Sequence, residues 1–215
     1  NWASTQGGSI QAERLDLALL AQIADRLPLA EGLRQRLSEM APRGVVSGLD
    51  GQWVGQLTAP SHYKLKGQVT GLGLAEASQS ERPGLSGADV RISADERGGQ
   101  AELTMRDGWL AFPGVFEDPR IELSSLRALV NWTVLPAGKG LTDGVEVKVT
   151  EASFANADAQ GSLAGTWRTG RGQPGRDGKP LASLPGVLDL SGRLQRAQAT
   201  SVWRYLPTSI PSGPR

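Results

Sequence analysis

From Gly44 onward, apolar residues recur at every second position for nearly the whole remainder of the chain, and no other feature narrows its fold so sharply. Tyr63, Leu65, Gly67 and Val69 alternate with Lys64, Lys66 and Gln68, and Ala88, Val90, Ile92 and Ala94 with Asp89, Arg91, Ser93 and Asp95. Ala101, Leu103 and Met105 alternate with Glu102, Thr104 and Arg106, and Val145, Val147 and Val149 with Glu146, Lys148 and Thr150. Ala157, Ala159, Gly161, Leu163, Gly165 and Trp167 continue the pattern, and Leu188, Leu190, Gly192 and Leu194 close it. Successive side chains of a strand point to opposite faces, so this spacing predicts a sheet with one dry and one wet surface. Glu96-Arg97-Gly98-Gly99 supplies the turn of an antiparallel hairpin. Asp107-Gly108 and Pro113-Gly114 read as breaks, and the step from Leu123 to Leu126 shifts the parity by one residue, as a β-bulge or a short connection between two strands does.

Upstream of Gly44 the period is helical. A short strand from Ser9 runs into a helix in which Leu15, Leu19, Ile23 and Leu27 recur every four residues. Pro28 interrupts it, and a second helix from Leu29 to Met40 places Leu29, Leu33, Leu37 and Met40 on one stripe before Pro42 and Gly44. The expected fold class is α+β, mostly β: a long curved antiparallel sheet, as a β-groove or a partly closed barrel, with an N-terminal helical hairpin. The expected organisation is a short strand plus helical hairpin over 1–43, the twisted antiparallel sheet over 44–169, a flexible Gly/Pro-rich loop over 170–186, and a final strand and short helix over 187–215. An internal echo, Leu15-Asp16-Leu17 before Leu27-Pro28 and Leu188-Asp189-Leu190 before Tyr205-Leu206-Pro207, makes the last segment read as the start of a next repeat. The opening Asn1-Trp2-Ala3-Ser4 reads as the start of a piece excised from something longer.

Composition removes several function classes. Lys and Arg number 23 against 22 Asp and Glu, and the basic residues form no run longer than a pair, which argues against a nucleic-acid groove. Cysteine is absent, so neither a disulfide framework nor a thiolate site exists, and the one histidine, His62, leaves zinc only carboxylates. His62 has no G-x-S-x-G partner and reads as a surface residue. Gly71-Leu72-Gly73-Leu74-Ala75-Glu76 carries Glu76 where a dinucleotide loop needs its third small residue. The Asp-Gly pairs at Asp50, Asp107, Asp143 and Asp177, with Asn156-Ala157-Asp158, lack calcium-loop spacing and read as tight turns. No catalytic residue, metal or cofactor is nominated. Six tryptophans, Trp2, Trp53, Trp109, Trp132, Trp167 and Trp203, read as anchors between strands, as the lining of an apolar groove or as residues near a membrane interface.

The order of these features resembles a known family. Leu15-Asp16-Leu17, Leu27-Pro28-Leu29, Pro42-x-Gly44, Trp53 and Tyr63-Lys64-Leu65 are similar to the AsmA-like proteins of Gram-negative envelopes. So are Pro83-Gly84-Leu85-Ser86-Gly87, Phe112-Pro113-Gly114-Val115-Phe116, Trp132, Asn156-Ala157-Asp158 with Gly161-x-x-x-Gly165, and Arg204-Tyr205-Leu206-Pro207. The resemblance covers most of the chain from about Ile10 and implies no catalytic residues. It implies an internal segment of a large periplasmic protein, anchored in the inner membrane, whose strands form a long groove carrying phospholipid toward the outer membrane. The implied partners are phospholipid acyl chains and, through the rest of the parent chain, both membranes.

On that expectation the groove residues are Val69, Ala88, Val90, Ile92, Ala101, Leu103, Met105, Val145, Val147, Val149 and Leu163. Side-by-side strands of this length give an apolar face too large to leave bare, since exposed patches above a few hundred Å² are rare in soluble monomers. Either the sheet closes on itself as a structural or protein-binding β-domain, or hydrocarbon lies along it. A sixteen-carbon chain would contribute on the order of 10 kcal/mol gross, at about 0.8 kcal/mol per CH₂.

Overall fold

The computed structural model describes residues 7–23, 31–56, 59–136, 144–169, 186–205 and 208. Nine strands follow one another: β1 Gly7–Asp16, β2 Arg43–Gln56, β3 Ala59–Leu74, β4 Gly84–Asp95, β5 Gly98–Ala111, β6 Arg120–Leu135, β7 Gly144–Ala155, β8 Ala159–Arg168 and β9 Val187–Ala197. Each pairs antiparallel with the next in a single sheet, in chain order. Among the described residues β1 and β9 have one strand neighbour each, so the sheet is open and not a closed barrel. The fold is mostly β with two short helices near its N-terminus, α1 Leu17–Ile23 and α2 Glu31–Met40. The remainder of the expected first helix, through Leu27 and Pro28, lies outside the described residues, as do positions 170–185 of the expected loop.

The helices start and stop for local reasons. Asp16 ends β1 and caps α1, its Oδ1 accepting from the backbone N–H of Ala18 at 2.9 Å and of Leu19 at 3.1 Å. At the far end of α2, Ala41 takes a left-handed conformation, φ 40°, with its N–H bonded to the Leu37 carbonyl at 3.0 Å. Arg82 holds the end of α2 to the segment after β3, donating to Glu39 Oε2 at 3.1 Å and to the Glu39 carbonyl at 2.6 Å. The echoed motif sits differently in its two copies. Leu15-Asp16 closes β1 and caps a helix, whereas Leu188-Asp189-Leu190 lies near the start of β9, and the 3-10 helix Ala199–Tyr205 follows only after that strand ends.

The alternation is re-set along a line across the sheet. Gly71 on β3, Gly87 on β4 and Asp107 on β5 have φ of 65°, 83° and 51°, and the β3–β4 and β4–β5 pairings shift register beside the two glycines. Asp107-Gly108 is therefore the interior of one kinked strand and not a break between two. The same correction applies to Asp50-Gly51, inside β2 just past a register shift and Gly48 at φ 57°. Asp tolerates left-handed backbone, which a bulge uses as readily as a turn does. Asp143 and Asp177 lie outside the described residues.

The parity change between Leu123 and Leu126 occurs within continuous β6, with no register shift against β5 at that level. Its cause is the kink at Asp107 on the neighbouring strand. Leu123 and Leu126, of opposite parity, still pack in one cluster with Ala88 and Met105, so the apolar surface runs through the kink. Ala88 and Met105 are 0% and 2% exposed, and among the described residues no larger side chain is fully buried. Single-layer packing half-buries its side chains, and among the described residues this sheet has no second layer to finish the burial.

Candidate functional site

In an antiparallel sheet, residues directly opposite each other share a face. One such row crosses all nine strands: Leu15, Val46, Val69, Val90, Leu103, Ala128, Ala152, Leu163 and Gly192. Next to it run Gly67, Ile92, Ala101, Val130, Val149, Gly165 and Leu190. A third row holds Ile10, Gly51, Leu65, Ala94, Gly99, Trp132, Val147, Trp167 and Leu188. On the other side of the central row are Leu72, Ala88, Met105, Leu126, Phe154, Gly161 and Leu194. Val145 faces Val134 beyond the third row.

All eleven residues expected from the sequence therefore occupy one surface. The sequence reading left Leu15, Val46, Ala128 and Ala152 out of that set. Val46 and Ala152 stand next to register shifts at Ser47/Asp50 and Val149/Ala152, and a bulge hides the face of its neighbours from any simple count.

The opposite surface is mostly polar, with Leu129 and Val187 as exposed apolar exceptions. Lys66, Ser93, Gln100, Asn131, Lys148, Thr166 and Asp189 make one row, and Asp89, Thr104, Arg127, Ser153, Ser162 and Arg193 another. Its charges pair across strands: Lys66 with Asp50 at 3.1 Å, Arg91 and Arg127 with Glu102 at 3.1 and 3.0 Å, and Arg168 with Glu146. Two depressions lie on this side, one bordered by Asp50, Gln52, Lys64, Lys66 and Asp95, another by Gln68, Arg91, Glu102 and Leu129. Charged side chains edge the first, a poor environment for hydrocarbon, while Leu129, opposite Glu102 and 42% exposed, gives the second an apolar side.

The apolar surface is broad and open. Eight strand spacings of about 4.8 Å make it about 38 Å across. Among the described residues, helical packing on the sheet is that of α1 against β1 and β2, which leaves the surface over β3–β8 without a covering element. Its side chains are half-buried by one another, while at the β9 edge Leu188, Leu190 and Leu194 are 59–64% exposed. Trp53, Trp132 and Trp167 each lie across a glycine of the neighbouring strand or segment: Gly8, Gly99 and Gly186. The indole fills space that a Cβ there would need.

The other candidates resolve into structure. His62 is exposed, and its Nδ1 bonds to Glu96 Oε1 at 3.0 Å. That bond, with backbone N–H donors including Tyr63, lowers the Glu96 carboxyl to about 2. Ser61 donates to the Val54 carbonyl and is not aligned with His62. Gly71 sits in strand, its N–H donating to Asp89 Oδ1 at 2.8 Å, and no helix of phosphate-binding type follows. Asn156 forms the β7–β8 turn by accepting from the N–H groups of Asp158 and Ala159. Among the described residues no three metal-binding side chains cluster, and no helix is long and apolar enough to cross a membrane.

The sequence offered no sign that Asp118, Asn156, Asp158, Arg204 and Tyr205 meet. Arg204 bonds Asp118 Oδ2 at 2.7 Å and Asp158 Oδ2 at 3.1 Å, and Tyr205 donates to Asp158 Oδ2 at 2.9 Å. The Arg204 bond holds the Asp118 carboxyl low, the Tyr205 and Ser201 hydroxyls hold Asp158 low, and burial pushes the Tyr205 phenol up.

A model of the YhdP protein family matches residues 1–212. No curated protein and no solved structure matches the chain.

Proposed function

Because the chain belongs to the YhdP family, we propose that it is a segment of an envelope-spanning lipid-transfer protein whose apolar β-face carries phospholipid from the inner toward the outer membrane. The family is one of lipid transport at the cell envelope. The observation that carries the reading is the unbroken apolar row from Leu15 to Gly192, with no described element over β3–β8. An acyl chain is about 15 Å long, half the hydrocarbon thickness of a bilayer, so the face accommodates more than one across its width. Transfer of each chain from water onto such a surface is favourable by several kcal/mol even after ordering costs, at about 0.8 kcal/mol per CH₂. The central rows mix larger side chains with small residues, Gly67, Ala101, Ala128, Ala152 and Gly165, and neighbouring side chains cover Ala128 and Ala152. In this reading the segment works in the periplasm, and the parent protein holds it between the two membranes.

Photocrosslinking residues placed at Val90, Leu103 and Val147 test the proposal in cells, with Arg91, Glu102 and Lys148 as neighbours on the wet face. Phospholipid adducts at the first three and none at the second three are expected. Protein adducts alone at Val90, Leu103 and Val147 would instead identify a structural or protein-binding domain whose core is closed by another element.

A further inference from the structure

The 3-10 helix Ala199–Tyr205 leaves the sheet at β9, yet its last residues bond to segments several strands away. Arg204 reaches Asp118 in the β5–β6 connection and Asp158 in the β7–β8 turn. Ser201 Oγ donates to Asp158 Oδ1 at 3.0 Å, and Asn156 Nδ2 donates to the Tyr205 hydroxyl at 2.9 Å. Beyond the helix, the Thr208 N–H bonds to the Val115 carbonyl at 2.9 Å, again in the β5–β6 connection. Seven residues at about 2.0 Å rise give about 14 Å, and three strand spacings of about 4.8 Å give about the same. Gln198, Ser201, Arg204 and Tyr205 thus all hold the β7–β8 turn, and Arg204 and Thr208 tie that end to the β5–β6 connection.

The strands beside it are irregularly paired, as others in the sheet are. The β6–β7, β7–β8 and β8–β9 pairings each contain a register shift, at Leu129/Val130, Val149/Ala152 and Gln160/Gly161. A bulge bends its strand and increases the local twist. The curvature of β6–β9 therefore arises at three irregular pairings, and the bonds of Arg204 bridge the loops at their ends.

We propose that Ala199–Tyr205 is a clasp, closed by Arg204 between Asp118 and Asp158, that fixes the curvature of β6–β9 and lets this part of the sheet open when it is released. The clasp sets the width of the apolar face whatever occupies that face.

The chain has no cysteine, so two can be introduced cleanly for spin labels, at Arg106 on β5 and Arg193 on β9. Both are exposed, and four strand spacings separate them, about 19 Å. Pulsed electron resonance on the 215-residue chain is expected to give one narrow distance distribution. Arg204→Ala is expected to broaden it at least twofold and lengthen its mean, and Arg204→Lys to restore it in part. Asp118→Asn, which leaves the Asp158 end of the clasp intact, is expected to broaden it as well and decides the question should Arg204→Ala fail to fold. A distribution in folded Arg204→Ala or in Asp118→Asn that superimposes on the parent's overturns the proposal. No lipid enters the measurement, so its outcome is separate from that of the transport reading.

Discussion

Trp132 on β6 reaches across Gly99 on β5, and its Cζ2 edge occupies the position that a side chain at residue 99 would take. A Cβ at Gly99 would also fall 2.6 Å from the Ser93 carbonyl oxygen and 2.9 Å from Ala94 Cα, which are backbone and cannot swing away. Gly99→Ala is therefore expected to destabilise the chain by about 1–3 kcal/mol, the usual cost of overpacking. Urea unfolding measures it. A loss below about 0.5 kcal/mol, within the range of ordinary surface substitutions, would mean that the Ser93–Ala94 backbone yields as well as the indole.

The two faces should respond oppositely to the same chemical change. Val90 stands between Val69 and Leu103 in the central apolar row, and its neighbour Arg91 points to the wet face. Val90→Asn is expected to cost about 1–3 kcal/mol and to abolish uptake of a fluorescent fatty-acid probe. Arg91→Asn breaks an exposed pair with Glu102 and is expected to change stability by about 0.5 kcal/mol or less and leave uptake unchanged. Equal loss of uptake in both variants would place the probe somewhere other than the apolar face.

How much of this was legible beforehand depends on whether a residue's role is set by its immediate neighbours. The run Ala88, Val90, Ile92 and its partner run Ala101, Leu103, Met105 needed only alternation and a two-residue turn, and the register pairs them as Ala88 with Met105, Val90 with Leu103 and Ile92 with Ala101. Asp107 misled because the backbone freedom that makes Asp-Gly a turn also makes it a kink within a strand, and sequence does not distinguish the two. The break between Leu123 and Leu126 was visible while its cause was not, since that cause sits on a different strand. Arg204 and Asp118 are 86 residues apart, and only the sheet's meander brings them together. Openness was beyond reach for a similar reason: alternation states that one face is dry, and only the arrangement of the other elements decides what covers it.

Ala41 offers a gain of stability away from the apolar face. It is exposed, follows the last residue of α2 and takes φ 40°, where a Cβ is strained and glycine is not. Ala41→Gly is expected to stabilise by about 0.5–1 kcal/mol and to raise Tm by a few degrees at about 2–4 °C per kcal/mol for a chain of this size. A lowered Tm would show that the entropy gained by the unfolded chain outweighs the strain relieved.

Acid should act through Glu96. Its carboxyl lies at about 2 in the folded chain against 4.5 for the free side chain, first because of the His62 hydrogen bond and then because of backbone donors. A folded value below the unfolded one means that the unfolded state binds the proton more readily. The stabilisation is complete above about 4.5 and is lost as pH falls through about 2. Asp118 and Asp158 are shifted in the same direction, so acid also weakens the contacts that hold Arg204. Carbon-detected NMR titration of His62→Ala is expected to move the Glu96 midpoint upward, toward 4.5. A midpoint that stays near 2 in that variant would assign the depression to the Glu96 and Tyr63 backbone N–H groups in place of the imidazole.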